Sequence, residues 1–352
     1  MEINGTEVSS STGTNLAYKA HLDVLLGTSK DVKNEKLKDT MLYFDEEVEK
    51  ADVNQKANGG AYAKKQAAFT AKGGRYIRSP LFVDHVNCHR YIPPDCTLKV
   101  TFYRNENAFC LIQHSSNTKK YKLIIKDMVI MGKRIKANPA KWDEHEKFYD
   151  QQLSAYLPIT YTSLNYKVAA TGTSNILLEN LTLGGGGGSG GGDIVPFKIF
   201  MVIIGHDNYN GHKAKNPLQY KHYNLQGLEF HINGKSYPAT RYDFDWTKGN
   251  VLTGYQDLMK GVGAGGDHVS PNITLDAFMD HASIFCFDRS PDDCCGVHTH
   301  MPMTGLVHAT LNFSSELTEP VTVIFYSFYK KLLKFNRAAK EFPPTVEFVH
   351  HI

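Results

Sequence analysis

Two segments of the chain carry the same features in the same order, and this repeat limits the fold more than any other feature. Ile3-Asn4-Gly5 and Ile232-Asn233-Gly234 each set Asn-Gly behind an apolar residue, the strongest short-range hairpin signal. Tyr18, Leu22, Leu25 and Leu26 then fall at i, i+4, i+7 and i+8, and so do Val251, Tyr255, Leu258 and Met259. That spacing predicts a short helix with one apolar stripe. Gly27 and Gly261 stand where a helix stops. Phe44-Asp45 and Phe287-Asp288 follow, and two strand-like runs close each copy: 81–90 with 97–104, and 306–313 with 321–328. Ordered features at so long a period indicate a duplicated domain, since solenoid repeats run ~20–50 residues.

The copies are unequal. Upstream of Ile232 lies a long stretch, opening at Tyr121, with four strand candidates; upstream of Ile3 there are two residues. The expectation is a first copy without its opening strands, whose open edges another chain or a longer sequence would complete. Leu98, Val100 and Phe102, and Val307, Ala309, Leu311 and Phe313, alternate with polar residues, the period of half-buried strands. Runs 121–135, 159–169, 228–232 and 283–287 are further strand candidates. Helical spacing is rare, the clearest case being Pro139 to Ser154, with Pro where helices accept it. The chain reads as all-β with short inserted helices. Eight strand candidates in the complete copy fit two facing sheets of a jelly roll.

The expected division is 1–118 as the C-terminal part of a first jelly roll, 119–335 as a second, complete one, and 336–352 as a tail. Residues 184–192 read GGGGGSGGG, the composition of a flexible coil. The run falls inside the complete copy, which makes it a loop of the kind engineered as a connector and not a domain boundary.

Charge and composition exclude several classes. With 39 basic against 36 acidic residues, the chain lacks the cationic excess of a nucleic-acid condenser. The longest apolar run, near Phe197 to Ile204, is interrupted by Lys198 and falls short of the ~18 residues of a membrane span. Met1 to Gly5 has neither a basic nor an apolar signal region. Cys88, Cys96, Cys110, Cys286, Cys294 and Cys295 show no disulfide-framework spacing, which suits a reducing compartment. Asn4-Gly5-Thr6 and Asn272-Ile273-Thr274 then read as chance sequons.

Candidate chemistry is sparse. Cys294, Cys295, His298 and His300 place four possible ligands within seven residues, but adjacent cysteines present their sulfurs poorly to one zinc ion. His298-x-His300 suggests a cupin-like metalloenzyme, yet Met301 to Gly305 holds no acid and Pro302 interrupts a strand. His85 and His89 share a strand face poorly with Cys88. Gly261 to Gly266 lacks the Gly-Lys-Ser/Thr ending of a phosphate loop and follows a helix. Lysine pairs 119–120 and 330–331 are too few for a nucleic-acid patch. Trp142, Trp246 and the 19 tyrosines could serve a ligand-binding jelly-roll module, although aromatics on this scale are more often sandwich core. No catalytic, cofactor-binding or metal residue is assigned.

The run Asp207-Asn208, Asn210-Gly211, Lys215-Asn216-Pro217 and Lys221-His222-Tyr223, followed by Ile232-Asn233-Gly234, resembles the double jelly-roll major capsid proteins of Polinton (Maverick) elements and adintoviruses. Phe287-Asp288-Arg289-Ser290-Pro291-Asp292 and Asn107-Ala108-Phe109-Cys110-Leu111 are similar to two further motifs of that group. The resemblance implies a capsid subunit with two jelly rolls side by side. Three subunits would form a pseudo-hexagonal capsomer, and capsomers would tile an icosahedral shell. Its partners would be copies of itself, neighbouring capsomers and penton or minor capsid proteins, with no cofactor, no specific nucleic acid and no membrane span. Its location would be the virion capsid. Two departures stand out: the family's N-terminal stretch is absent, and the Gly/Ser run replaces a short ordinary loop.

Overall fold

The structure is a computed structural model. It describes residues 1–8, 15–35, 75–84, 91–93, 96–136, 138–151, 154–181, 194–263, 271, 273–289, 303–336 and 344–349. The Gly/Ser run 184–192 and Phe44-Asp45 lie outside the described residues.

Eight strands between residues 155 and 336 form two antiparallel sheets. The N-terminal part supplies β1 (Glu2–Ile3), β2 (Thr6–Glu7) and β3 (Leu98–Lys99). The eight that follow are β4 (Ala155–Ala169), β5 (Asn175–Leu178), β6 (Lys198–Gly205), β7 (Leu225–Ile232), β8 (Lys235–Asp243), β9 (Ile284–Asp288), β10 (Val307–Phe313) and β11 (Val321–Asn336). One sheet runs β5-β10-β7-β8; the other runs β4-β11-β6-β9. Counting these strands from one to eight gives the orders 2-7-4-5 and 1-8-3-6, which is the jelly-roll topology. The alternation expected along 307–313 is present, with Val307, Ala309, Leu311 and Phe313 buried.

The inner faces interdigitate. Phe230 of β7 stacks on Phe287 of β9 at 4.9 Å, bridging the sheets. β6 and the first seven residues of β11 are buried at every position, so their outer face needs a cover as well. Two helices provide it: α1 (Asn15–Gly27) and, later in the chain, a helix over Leu252–Gly261. Tyr18, Leu22, Leu25 and Leu26 of α1 belong to the same core as β6 and β11. At the other helix, a Cβ on Gly261 would stand 2.0 Å from the Cys286 sulfur of β9; only glycine permits that approach. Both helices are those whose i, i+4, i+7, i+8 stripes occupy equivalent places in the repeat.

The hairpin turns are equivalent in detail. Asn4 and Gly5 have φ of 48° and 82°, Asn233 and Gly234 50° and 78°, the type I′ pattern that Asn-Gly favours. Asn4 N donates to Thr97 O at 3.0 Å and its Oδ1 accepts from Thr97 N at 2.7 Å. Asn233 makes the same pair with Leu306, both at 3.2 Å. Ile3 pairs with Leu98 as Ile232 pairs with Val307. The counterpart of 306–313 is therefore the run opening at Thr97, not 81–90 as the order of strand-like runs predicts.

Residues 121–135, expected as a strand, carry no strand pairing among the described residues; strand formation requires a neighbour, which the pattern cannot supply. Residues 85–90 lie outside the described residues, and 81–84 are irregular. The predicted helix from Pro139 ends at Asp150. The tail contains β12 (Thr345–Val349), which pairs with Leu332 to Asn336 of β11.

Beyond the sandwich, the ends of β4 and β11 carry a second core of Ile3, Val8, Leu157, Ile159, Tyr161, Tyr329, Leu333, Phe335 and Val346. Lys331 is buried there, its Nζ 3.9 Å from the Tyr161 ring centre and 4.9 Å from that of Phe348 on β12. A second buried lysine, Lys33, donates to Leu25 O at 3.0 Å and Pro271 O at 2.8 Å. Burial pulls both pKa values down from 10.5 to about 8. Between these values the unfolded chain holds protons that the native state has released, so stability rises with pH in that window. Tyr161, pushed up from 10.0 to about 12 by burial, Asp84 and Glu7, acts oppositely above pH 10. Denaturant titration is expected to show a gain of about 1–2 kcal/mol per lysine between about pH 7.5 and 9.5, with Lys331→Met removing about half. A loss across that window contradicts the assignment.

Candidate assembly site

Two of the three motifs singled out in the sequence meet where the N-terminal segments lie against the jelly roll. The Asp207–Tyr223 stretch caps one end of the sandwich, beginning with the single turn α2 (His206–Asn210). Its hydrogen bonds are largely local. Asn208 Nδ2 donates to Asn216 O at 3.3 Å, Asn216 Oδ1 accepts from Leu218 N at 2.9 Å, and Ala214 N donates to His212 Nδ1 at 3.1 Å. Lys221 N donates to Ile203 O at 3.1 Å, anchoring the loop to β6. His222 stacks on Trp246 at 4.0 Å. Tyr223 donates to Glu319 at 2.9 Å, and burial followed by Glu319 pushes its hydroxyl pKa upward.

This cap receives both N-terminal elements. Tyr209 stacks on Tyr18 of α1 at 5.4 Å and contacts Tyr166 of β4 at 4.9 Å. Phe109, within the turn Asn107–Cys110, meets Tyr18 edge-on at 5.6 Å. Gly211, at φ 91°, sits so close that a Cβ would stand 2.7 Å from Phe109 N and 2.9 Å from its Cα. Gln113 N donates to Lys213 O at 2.6 Å, continuing the seam. Two motifs far apart in sequence are thus two sides of one joint.

A charged network secures α1 on the sheet. Lys19 bridges Asp23 at 3.0 Å and Asp84 at 2.9 Å, and donates to the Tyr326 hydroxyl of β11 at 3.0 Å. Tyr326 in turn donates to Asp23. Asp84 accepts from Thr162 N at 2.7 Å and from its hydroxyl at 3.0 Å, satisfying part of the β4 edge that would otherwise lack a partner. Burial, then Asp23, holds the Tyr326 hydroxyl well above its ordinary pKa. Neither Asp84 nor Tyr326 carries a local sequence signal.

The third motif is structural too. Asp288 pairs with buried Lys198 at 3.0 Å, and Lys198 also donates to Gly261 O at 2.6 Å. Arg289 N donates to Phe197 O at 2.9 Å and its guanidinium reaches Pro196 O at 3.3 Å. Breaking such a pair would strand a buried charge.

The other candidate residues form no site among the described residues. Cys294, Cys295, His298, His300, His85, Cys88 and His89 lie outside the described residues. Among the described residues no group of three or more His, Cys, Asp or Glu could hold a metal ion, and no helix is long and apolar enough to cross a membrane. Gly263 has φ 77°, and residues 264–266 lie outside the described residues. Lys119 and Lys120 are exposed. Lys330 is exposed, 5.0 Å from the Phe197 ring, whereas Lys331 is buried, so that pair forms no patch. Trp246 packs against Phe278 at 5.9 Å and is part of the sandwich core.

No protein-family model matches the chain. It is 19% identical over 280 residues to the uncharacterized protein F54H12.2 of Caenorhabditis elegans, a match covering 79% of this chain and 62% of that protein's length. Solved structures similar to it include VP54 of PBCV-1, fitted into a cryo-EM reconstruction of the virophage Sputnik, with a TM-score of 0.35, 9% identity and coverage of 60% and 54% of the two chains. A chain of the Sputnik virophage structure gives a TM-score of 0.32 at 10% identity, covering 56% and 39%. The jelly-roll assignment rests on the strand order, not on these likenesses.

The joint predicts a contrast between two glycines. Gly234, at φ 78°, has open space around its Cβ position, so Gly234→Ala carries only the conformational cost, about 1 kcal/mol. Gly211→Ala adds a collision with Phe109 backbone and is expected to cost about 2–4 kcal/mol. Equal losses in denaturation would show that the joint is not tightly packed.

Proposed function

We propose that the chain is a structural subunit of a protein shell, of the double jelly-roll major capsid type found in Polinton elements and adintoviruses. The observation that carries the reading is a complete jelly roll with elements of a second copy of the same repeat, α1 and the Asn4-Gly5 hairpin, packed onto it. The three motifs shared with that family serve this joint and the core in place of a reaction centre. A net charge of +3 suits a protein whose main partners are copies of itself.

On this reading the protein forms trimeric, pseudo-hexagonal capsomers that tile an icosahedral shell, with penton and minor capsid proteins as further partners and the virion as its location. Its role is assembly without catalysis. Interfaces of that obligate kind bury more than ~2,000 Å² and close by symmetry.

The test is sedimentation of the purified protein over a concentration series, with electron micrographs of the same samples. The expected result is a concentration-dependent species at three times the 39.4 kDa chain mass, followed by larger particles. A protein that stays monomeric at high micromolar concentration ends this reading.

A further inference from the structure

Three oxygen acceptors converge over Gly205, the last residue of β6. Gly205 has φ −58° and ψ 136°, extended backbone that any residue adopts, so its conformation does not call for glycine. A Cβ there would stand 3.2 Å from the Tyr223 hydroxyl oxygen and 3.3 Å from both Asn208 Oδ1 and Glu319 Oε1. Glycine keeps the space among these oxygens clear. They come from three places in the fold: Asn208 from α2, Tyr223 from the end of the cap, and Glu319 from the loop between β10 and β11.

All three present lone pairs to this space. Tyr223 donates its proton to Glu319 at 2.9 Å, which leaves its oxygen to accept. Burial, followed by Glu319, raises the pKa of that hydroxyl and keeps it neutral. Asn208 Nδ2 donates to Asn216 O at 3.3 Å, and this bond turns Oδ1 toward Gly205. Asn208 is only 9% exposed, and its Oδ1 has no hydrogen-bond partner among the described residues. A buried carbonyl oxygen in that position is costly unless something electropositive meets it. Tyr223 is held at φ 48°, which a bulky residue adopts only where its surroundings impose it. Lys215 lies 3.8 Å from the second Glu319 oxygen and 3.2 Å from Asp207. Two carboxylates against one ammonium leave the locality one net negative charge.

We propose that the oxygens over Gly205 bind a hard divalent cation of the calcium class, with Asn208 Oδ1, Glu319 Oε1 and the Tyr223 hydroxyl as its protein ligands. Amide carbonyl, carboxylate and hydroxyl are the donors such an ion takes. The Glu319 side chain is 41% exposed, so water reaches the remaining coordination positions. A single carboxylate places the affinity in the weak range, about 10⁻⁴–10⁻³ M. The ion ties the β10–β11 loop to the cap that receives Tyr18 and Phe109. The site is independent of the shell reading: a monomer that binds the ion removes only the latter.

The test is tyrosine-sensitised luminescence of terbium, standing in for calcium, on the whole chain, since Tyr223 places an energy donor beside the ion. The expected result is saturable emission that calcium displaces at about 10⁻⁴–10⁻³ M, with calcium also raising the thermal midpoint. Gly205→Ala fills the space without removing a ligand, and Glu319→Gln removes the carboxylate; each should weaken calcium binding at least about tenfold. Glu316→Gln, in the same loop, should leave the affinity unchanged. If Gly205→Ala does not fold, Glu319→Gln decides alone. The proposal is overturned if calcium neither displaces terbium nor raises the midpoint. It is equally overturned if either folded variant binds calcium as tightly as the unaltered chain, or if Glu316→Gln loses as much.

Discussion

A strand buried on both faces needs two covers, and this requirement organises the molecule. β6 and the first seven residues of β11 are buried throughout. The facing sheet covers one side. The other side belongs to α1 and the Leu252–Gly261 helix, whose buried stripes join the same core. α1 comes from the first copy of the repeat, so the jelly roll formed by β4 to β11 closes its core with residues that lie far upstream. The Lys19–Asp23–Tyr326 network and the Asp84 carboxylate on β4 fix that helix in place. Each of these charged groups has an opposite charge or a donor within hydrogen-bond reach, which is what makes their partial burial tolerable.

Much of the fold is legible because its signals are local. An Asn-Gly turn needs positive φ at two successive residues, and few other pairs accept that; both hairpins were readable for this reason. The helix stripes depend on a spacing that survives in any context, and the 307–313 alternation reflects one buried face. Residues 121–135 carry an equally good strand pattern and are not a strand, because pairing depends on a neighbour and none is present among the described residues. The same dependence explains why 98–99 is all that forms from the alternating run 97–104.

The joint was legible in part. Phe109 and the Asn210-Gly211 turn were marked as motifs, but nothing in the sequence says that they touch, since about a hundred residues separate them. Asp84 and Lys331 were not readable at all. An aspartate capping an edge strand and a lysine enclosed by aromatic rings acquire those roles only from residues brought up by the fold. The buried Lys198–Asp288 pair lay half in view, with Asp288 in a motif and Lys198 visible only as the charge interrupting an apolar run.

The central claim is that α1 is part of the jelly-roll core. Leu22 is fully buried on its inner stripe, and the direct measurement is equilibrium unfolding of Leu22→Ala followed by two probes, helix and tertiary. A loss of about 2–5 kcal/mol with the two probes still coincident is the predicted result. An unchanged midpoint, or a helix signal that melts separately from the sheet, would contradict it.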